Sequence, residues 1–171
     1  VTGGLASCPG CGLRAPAGGI ELDRPFNASP ECWATMAEVT GFELLHQVPL
    51  GRLHQLVVDA YGAQHAGPPT GERRVVYSLV GLCLAVEHGW TGTQVRDLHA
   101  RMGRPQPAWP RFTEPAPSRA TVTVWDVAEA GARRGAVDGH ERAVEAWARA
   151  VWDSWAPRHD EVRGLVRLLV A

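Results

Sequence analysis

Apolar residues in this chain recur mostly three and four positions apart, the period of helices buried along one side. The first such pattern opens at Ser29-Pro30-Glu31: a capping residue, a proline at the first helical position and an acid in the first turn. It predicts a helix from about Pro30 to Thr40, with Gly41 as its end. Pro49 then opens a second helix, on which Leu53, Val57, Tyr61 and Gln64 share a face, and Gly67-Pro68-Pro69 stops it near His65. A third helix is expected over Glu72 to His88, capped by Thr70 and halted by Gly89. Its apolar positions run nearly all round, so it belongs at the centre. A short helix follows from Thr93 to Met102, with Gly103 as C-cap. The stretch TVTVW at 121–125 alternates like a strand, but Thr123 with Asp126 resembles a capping box, and a short helix to Ala130 is the expectation. Asp138 with Glu141 forms another such pair and opens a helix to about Trp155, with Val144, Trp147, Val151 and Trp155 as its inward stripe. Pro157 breaks the chain before a last helix from about Arg158 to Val170. The sum is an all-α fold, a small helical bundle.

Two stretches depart from this pattern. Residues 1–28 are rich in Gly, Pro and Ala and read as a metal knuckle followed by an irregular loop. Residues 103–120 hold five prolines and read as a long internal loop. At 171 residues, 45% hydrophobic and 20% charged, the chain fits one domain over 1–171 with a core of its own. A formal net charge of −1 supplies no global field for nucleic acid or an anionic membrane, so neither is an expected partner. The longest apolar stretch, Val75 to Val86, is broken by Ser78 and Gly81 and is too short to span a bilayer. The opening VTGGLASCPGCG lacks the basic start and apolar run of an export signal, and a cytoplasmic location is expected. In that compartment four cysteines are read as metal ligands or free thiols rather than disulfides.

CPGCG at 8–12 carries the strongest chemical signal. Two thiolates two residues apart grip a tetrahedral ion in a tight turn, and Gly10 and Gly12 let the turn bend. The same spacing serves redox pairs, but those follow a strand and begin a helix, and the flanks here show neither pattern. A structural zinc site needs four ligands. Cys32, in the first turn of the first helix, is the natural third, since the helix dipole favours its thiolate. Its alternative is a small buried residue beside Trp33. Cys83, inside the apolar third helix, reads as an inert core thiol. The fourth ligand should be a histidine: His65 ends its helix and can reach an irregular loop, with His54 and His159 in reserve.

The second helix is also unusually polar. His54, Tyr61 and His65 fall on nearly one face, with Asp59 and Gln64 at its sides. Joined by His159, these residues can form a catalytic pocket, with His54, Asp59, Tyr61 and His159 doing acid–base or metal chemistry and Gln64 supporting a ligand. They can equally form a hydrogen-bonded network between helices. Two functions follow: a binding or regulatory module with structural zinc and a small-molecule or protein partner, or a hydrolase-like enzyme. No nucleophile elbow, phosphate loop, HExxH or dinucleotide fingerprint is present.

CPGCG, ASPECW at 28–33 and VDAYGAQH at 58–65 together resemble an uncharacterised bacterial family, domain of unknown function 5946. Its members show CPxCG, SPxCW, DAYxxQH and a tryptophan-rich C-terminal stretch ending in a WAxHH-like element. Here that element reads WAPRH, with Arg158 in place of one histidine and His159 matching the other, and Ser78 stands where a further histidine is associated with the third helix. The resemblance implies one domain and the three cysteines as a set. It implies no activity.

Overall fold

The computed structural model describes residues 4–18, 25–103, 110–112 and 121–171. Among them are two short strands, β1 (Leu5–Ser7) and β2 (Arg14–Pro16), and eight α-helices: α1 (Pro30–Leu45), α2 (Gln47–Leu50), α3 (His54–Gln64), α4 (Glu72–His88), α5 (Gly92–Met102), α6 (Val124–Ala130), α7 (Val137–Ser154) and α8 (His159–Val170). The fold is a mostly helical bundle with one two-stranded sheet. Most of the proline-rich loop expected over 103–120 lies outside the described residues, as do 19–24 of the N-terminal loop.

The helix pattern is largely as the sequence predicts, and each difference has a physical reason. Gly41 does not end α1, which runs on to Leu45. A glycine costs about 1 kcal/mol in a helix interior, and burial of Phe42 and Glu43 just beyond it outweighs that. The second helix does not open at Pro49: Pro49 lies in the four-residue α2, and α3 begins only at His54. The Thr123–Asp126 capping box forms, with the Thr123 N–H donating to Asp126 Oδ2 at 2.8 Å. The expected Asp138–Glu141 box does not. Helix α7 starts at Val137 without a side-chain cap, and Glu141 is instead paired with Arg52. Residues 1–28 are not wholly irregular, because β1 and β2 pair antiparallel, Ala6 opposite Ala15, on either side of the CPGCG turn.

Helix α4 is central, packing against α3, α5, α7 and α8. Val75, Val76, Leu79, Val80, Leu82 and Cys83 are all fully buried on it, as its all-round apolar pattern requires. The α7 stripe is buried as well: Val144, Trp147, Val151 and Trp155 are 0–1% exposed. Each indole N–H finds an acceptor, which a buried tryptophan needs. Trp147 Nε1 donates to Gln64 Oε1 at 2.9 Å, and Trp155 Nε1 donates to the Ala63 carbonyl at 3.3 Å. Gln64 in turn donates to the Val122 carbonyl at 2.8 Å. One amide thus joins α3, α7 and the segment that leads into α6.

Trp147→Ala should lower unfolding free energy by about 3–5 kcal/mol, since it removes a fully buried ring and orphans Gln64 Oε1. Denaturant unfolding followed by circular dichroism checks this. A change under about 1 kcal/mol would show that the stripe is not core.

Candidate metal centre

The CPGCG segment folds as a knuckle between the two strands. The Gly12 N–H donates to the Cys8 carbonyl at 2.9 Å and the Cys8 N–H to the Leu13 carbonyl at 2.8 Å. Gly12 has φ +78°, a left-handed conformation in which a side chain would be strained. Gly10 is required for a different reason. A Cβ there would stand 2.4 Å from the Asn27 carbonyl oxygen and 2.6 Å from Cδ2 of His65, so only glycine lets the knuckle close on the end of α3.

That closure brings four ligand atoms together. The sulfurs of Cys8, Cys11 and Cys32 and a ring nitrogen of His65 all lie within 4.8 Å of one another, and all four residues are buried. Cys11 Sγ is 3.8 Å from Cys32 Sγ, and Cys32 Sγ is 3.3 Å from His65 Nε2. Nδ1 of His65 lies 2.8 Å from the Tyr61 carbonyl, which can only accept. The ring proton therefore sits on Nδ1, and Nε2 turns its lone pair toward the sulfurs. The Tyr61 ring stacks on the imidazole at 4.0 Å between centroids, and its hydroxyl donates to Cys32 Sγ at 3.6 Å. Burial, then the Cys32 sulfur, pushes the Tyr61 hydroxyl above its ordinary range and keeps it a donor.

The surroundings are built to hold these atoms. Ser29 caps α1 by accepting from the Cys32 N–H at 3.2 Å, and its own N–H donates to Cys8 Sγ at 3.4 Å. Asn27 donates to the Ala66 carbonyl from its side chain and to Thr70 Oγ1 from its backbone, tying the loop before α1 to the end of α3. Three thiols this close cannot all be charged without a cation. Contacts with Cys11 and Cys32 hold the Cys8 thiol low, while contacts with Cys11 and Cys8 push Cys32 far up. A cation removes that conflict, so the donor set fits a bound metal ion.

The profile of a family of unknown function, DUF5946, matches residues 6–156. The chain belongs to that family. No curated protein and no solved structure matches it. The DUF5946 match includes the knuckle, Cys32 and His65, and it ends before His159 and α8.

The other residues singled out in this DUF5946 chain are dispersed. Tyr61 belongs to the metal centre and Gln64 to the Trp147 bridge. His159 lies elsewhere, stacked on Trp152 at 3.8 Å, with its Nε2 2.9 Å from the Trp152 carbonyl. Asp59 lines a separate cavity between α3 and α4. His54 faces α1, with Nδ1 2.8 Å from Glu43 Oε2. The other carboxylate oxygen of Glu43 is 3.1 Å from His140 Nε2. Glu43 and His140, both fully buried, were not anticipated. The signal was present for Glu43, which falls four residues after Val39 and seven after Met36, in phase with the buried face of α1. His140 carried the same signal, falling four residues before Val144 and seven before Trp147, in phase with the buried stripe of α7.

The contact between His54 and Glu43 makes stability depend on pH. The hydrogen bond to Glu43 raises the His54 pKa above 6.5, against burial and the Arg96 charge. The folded chain then holds the His54 proton more tightly than the unfolded one. The resulting stabilisation is fully present below pH 6.5 and is lost as pH rises through the higher folded value. The melting-temperature gap between wild type and His54→Gln should be widest near about pH 5.5 and should close by about pH 9. Thermal melts across that range measure it, and a gap that widens with pH would exclude this linkage.

Proposed function

We propose that Cys8, Cys11, Cys32 and His65 hold one zinc ion for structural purposes, and that the protein acts as a binding or regulatory module stabilised by that ion. The observation that carries this is the spacing of the donors. Two thiolates about 2.3 Å from a zinc ion at the tetrahedral angle stand about 3.8 Å apart, the separation found between Cys11 and Cys32. Three thiolates and an imidazole suit zinc in preference to the hard divalent ions. Four donors would fill the tetrahedron of a zinc ion, and all four residues are buried, so such a site would leave no position for a substrate. When bound, the ion compensates the thiolate charge. The chain does the rest: Tyr61 orients the His65 ring through its carbonyl and donates its hydroxyl to Cys32, and Ser29 donates its N–H to Cys8.

The catalytic alternative needs His54, Asp59, Tyr61 and His159 around one pocket. Their contacts lie in four different places, with Glu43, Gln55, Cys32 and Trp152 respectively. No observation favours that reading over the binding module.

Natively purified protein should contain one zinc per chain by elemental analysis. Cys8→Ser, Cys11→Ser and Cys32→Ser should each lose zinc and melt at much lower temperature, because metal binding in such sites is folding free energy of about 10 kcal/mol or more. Cys83→Ser should keep its zinc. Full zinc retention in the Cys32 variant would exclude the four-residue site.

A further inference from the structure

A cavity of about 330 Å³ opens between α3, α4, α5 and α7, and it shares no lining residue with the metal centre. Leu56, Val86, Trp90 and Val95 wall it. Asp59 also lines it, although only 2% of that residue is exposed. Its Oδ1 accepts a hydrogen bond from Gln55 Nε2 at 3.0 Å. Its Oδ2 is buried and has no hydrogen-bond partner among the described residues. Buried polar atoms in folded proteins are almost always paired, so an orphaned oxygen on a residue that lines a cavity calls for an explanation.

The neighbouring backbone is shaped around this oxygen. Gly81 lies in the middle of α4, where glycine costs about 1 kcal/mol relative to alanine. A Cβ at Gly81 would stand 2.0 Å from Asp59 Oδ2 and 3.1 Å from Val95. The central helix therefore leaves this spot open to a carboxyl group instead of filling it with a methyl. Burial pushes the Asp59 carboxyl well above the usual carboxylate range, with only the Gln55 hydrogen bond acting against it. A group in that state gains most from a partner that brings positive charge and an N–H together.

We propose that this cavity binds a small organic cation, an apolar or aromatic body carrying a primary ammonium or amidinium head, whose N–H donates to Asp59 Oδ2. The Trp90 indole suits such a ligand twice, by stacking on its body and by attracting its charge. A single unpaired oxygen asks for one donor, not for the donor and acceptor of a neutral amide. Glu145, Arg149 and Arg52 stand at the lining, and Arg52 is paired with Glu141, so the charges at the entrance are largely balanced. A bound cation favours the carboxylate form of Asp59 and so acts against the upward shift that burial imposes. This site supplies a ligand for the binding module proposed above, and it does not depend on the metal.

The test is a titration of the full chain with benzamidine and, separately, with its neutral isostere benzamide. The Trp90 indole N–H is followed by NMR, and binding heat is measured by titration calorimetry. The expected result is saturable one-to-one binding of benzamidine that shifts the Trp90 signal, with benzamide at least tenfold weaker. Asp59→Asn should weaken benzamidine at least tenfold. Ala85→Leu, which narrows the cavity from α4 and keeps the Asp59 side chain, should do the same and serves if the Asp59 variant does not fold. Absence of saturable binding, equal affinity for benzamide, or unchanged binding in Ala85→Leu would overturn the proposal. Zinc measured on the same sample separates the two readings. Zinc-loaded protein that ignores benzamidine removes the cation site alone, and zinc-free folded protein that binds it removes the zinc reading alone.

Discussion

The N-terminal third of this protein rests on one electrostatic constraint: three thiols and an imidazole are buried within a few ångströms of one another. Sulfurs that close, out of water, cannot share the space as free thiolates, and a cation among them is the simplest relief. The local architecture follows from meeting that constraint. Strands of three residues are too short to persist as an isolated hairpin. Their pairing makes sense as the frame of a turn pinned from outside. Asn27, Ser29 and Thr70 fasten the loop and helix ends that present Cys32 and His65. Tyr61 reaches the site twice, through its carbonyl and its hydroxyl, and Phe26 and Trp33 pack against its ring.

Beyond the metal centre the fold satisfies most buried polar groups, while Asp59 Oδ2, His99 Nε2 and His140 Nδ1 have no hydrogen-bond partner among the described residues. Gln64 bridges Trp147 and the Val122 carbonyl, so it reads as structural glue. Glu43 reaches a histidine with each of its oxygens, joining α1 to α3 and α7. Both fit the pattern in which a buried polar side chain specifies how helices register. Asp59 is different: one oxygen is met by its own helix and the other faces an orphan's environment beside a cavity. That asymmetry beside a cavity is what marks Asp59 as part of a candidate binding site.

Several features were fixed by the sequence because their causes are local. Helix α4 follows from an all-round apolar run halted at Gly89, although Thr70 does not cap it as expected, its hydroxyl being bonded to the His65 carbonyl, and the α7 stripe follows from the spacing of Val144, Trp147, Val151 and Trp155. The Thr123 capping box depends on two side chains three residues apart, and it formed despite the alternating pattern beside it. The cysteine cluster was legible for a chemical reason: CPGCG and a cysteine in the first turn of a capped helix are unusual enough to point to one ion. The family motifs added that these segments belong together.

What the sequence could not decide are the interactions between residues far apart along it. Asp138 and Glu141 have the spacing of a cap, yet Glu141 pairs with Arg52, 89 residues away. Gly41 looks like a helix end until the burial of Phe42 and Glu43 is known. His54, Tyr61 and His65 do recur at helical spacing, but α3 is surrounded, so neighbouring positions meet different partners: His54 meets α1, Asp59 meets α4, Gln64 meets α7 and His65 meets the knuckle. Helical periodicity tells which residues share a face, and only packing tells what that face meets. The sequence alone thus determined the helices and the metal-binding residue types, because propensity, capping and ligand chemistry act within a few residues. The tertiary structure decided which buried polar groups are satisfied, because that depends on atoms contributed by other helices.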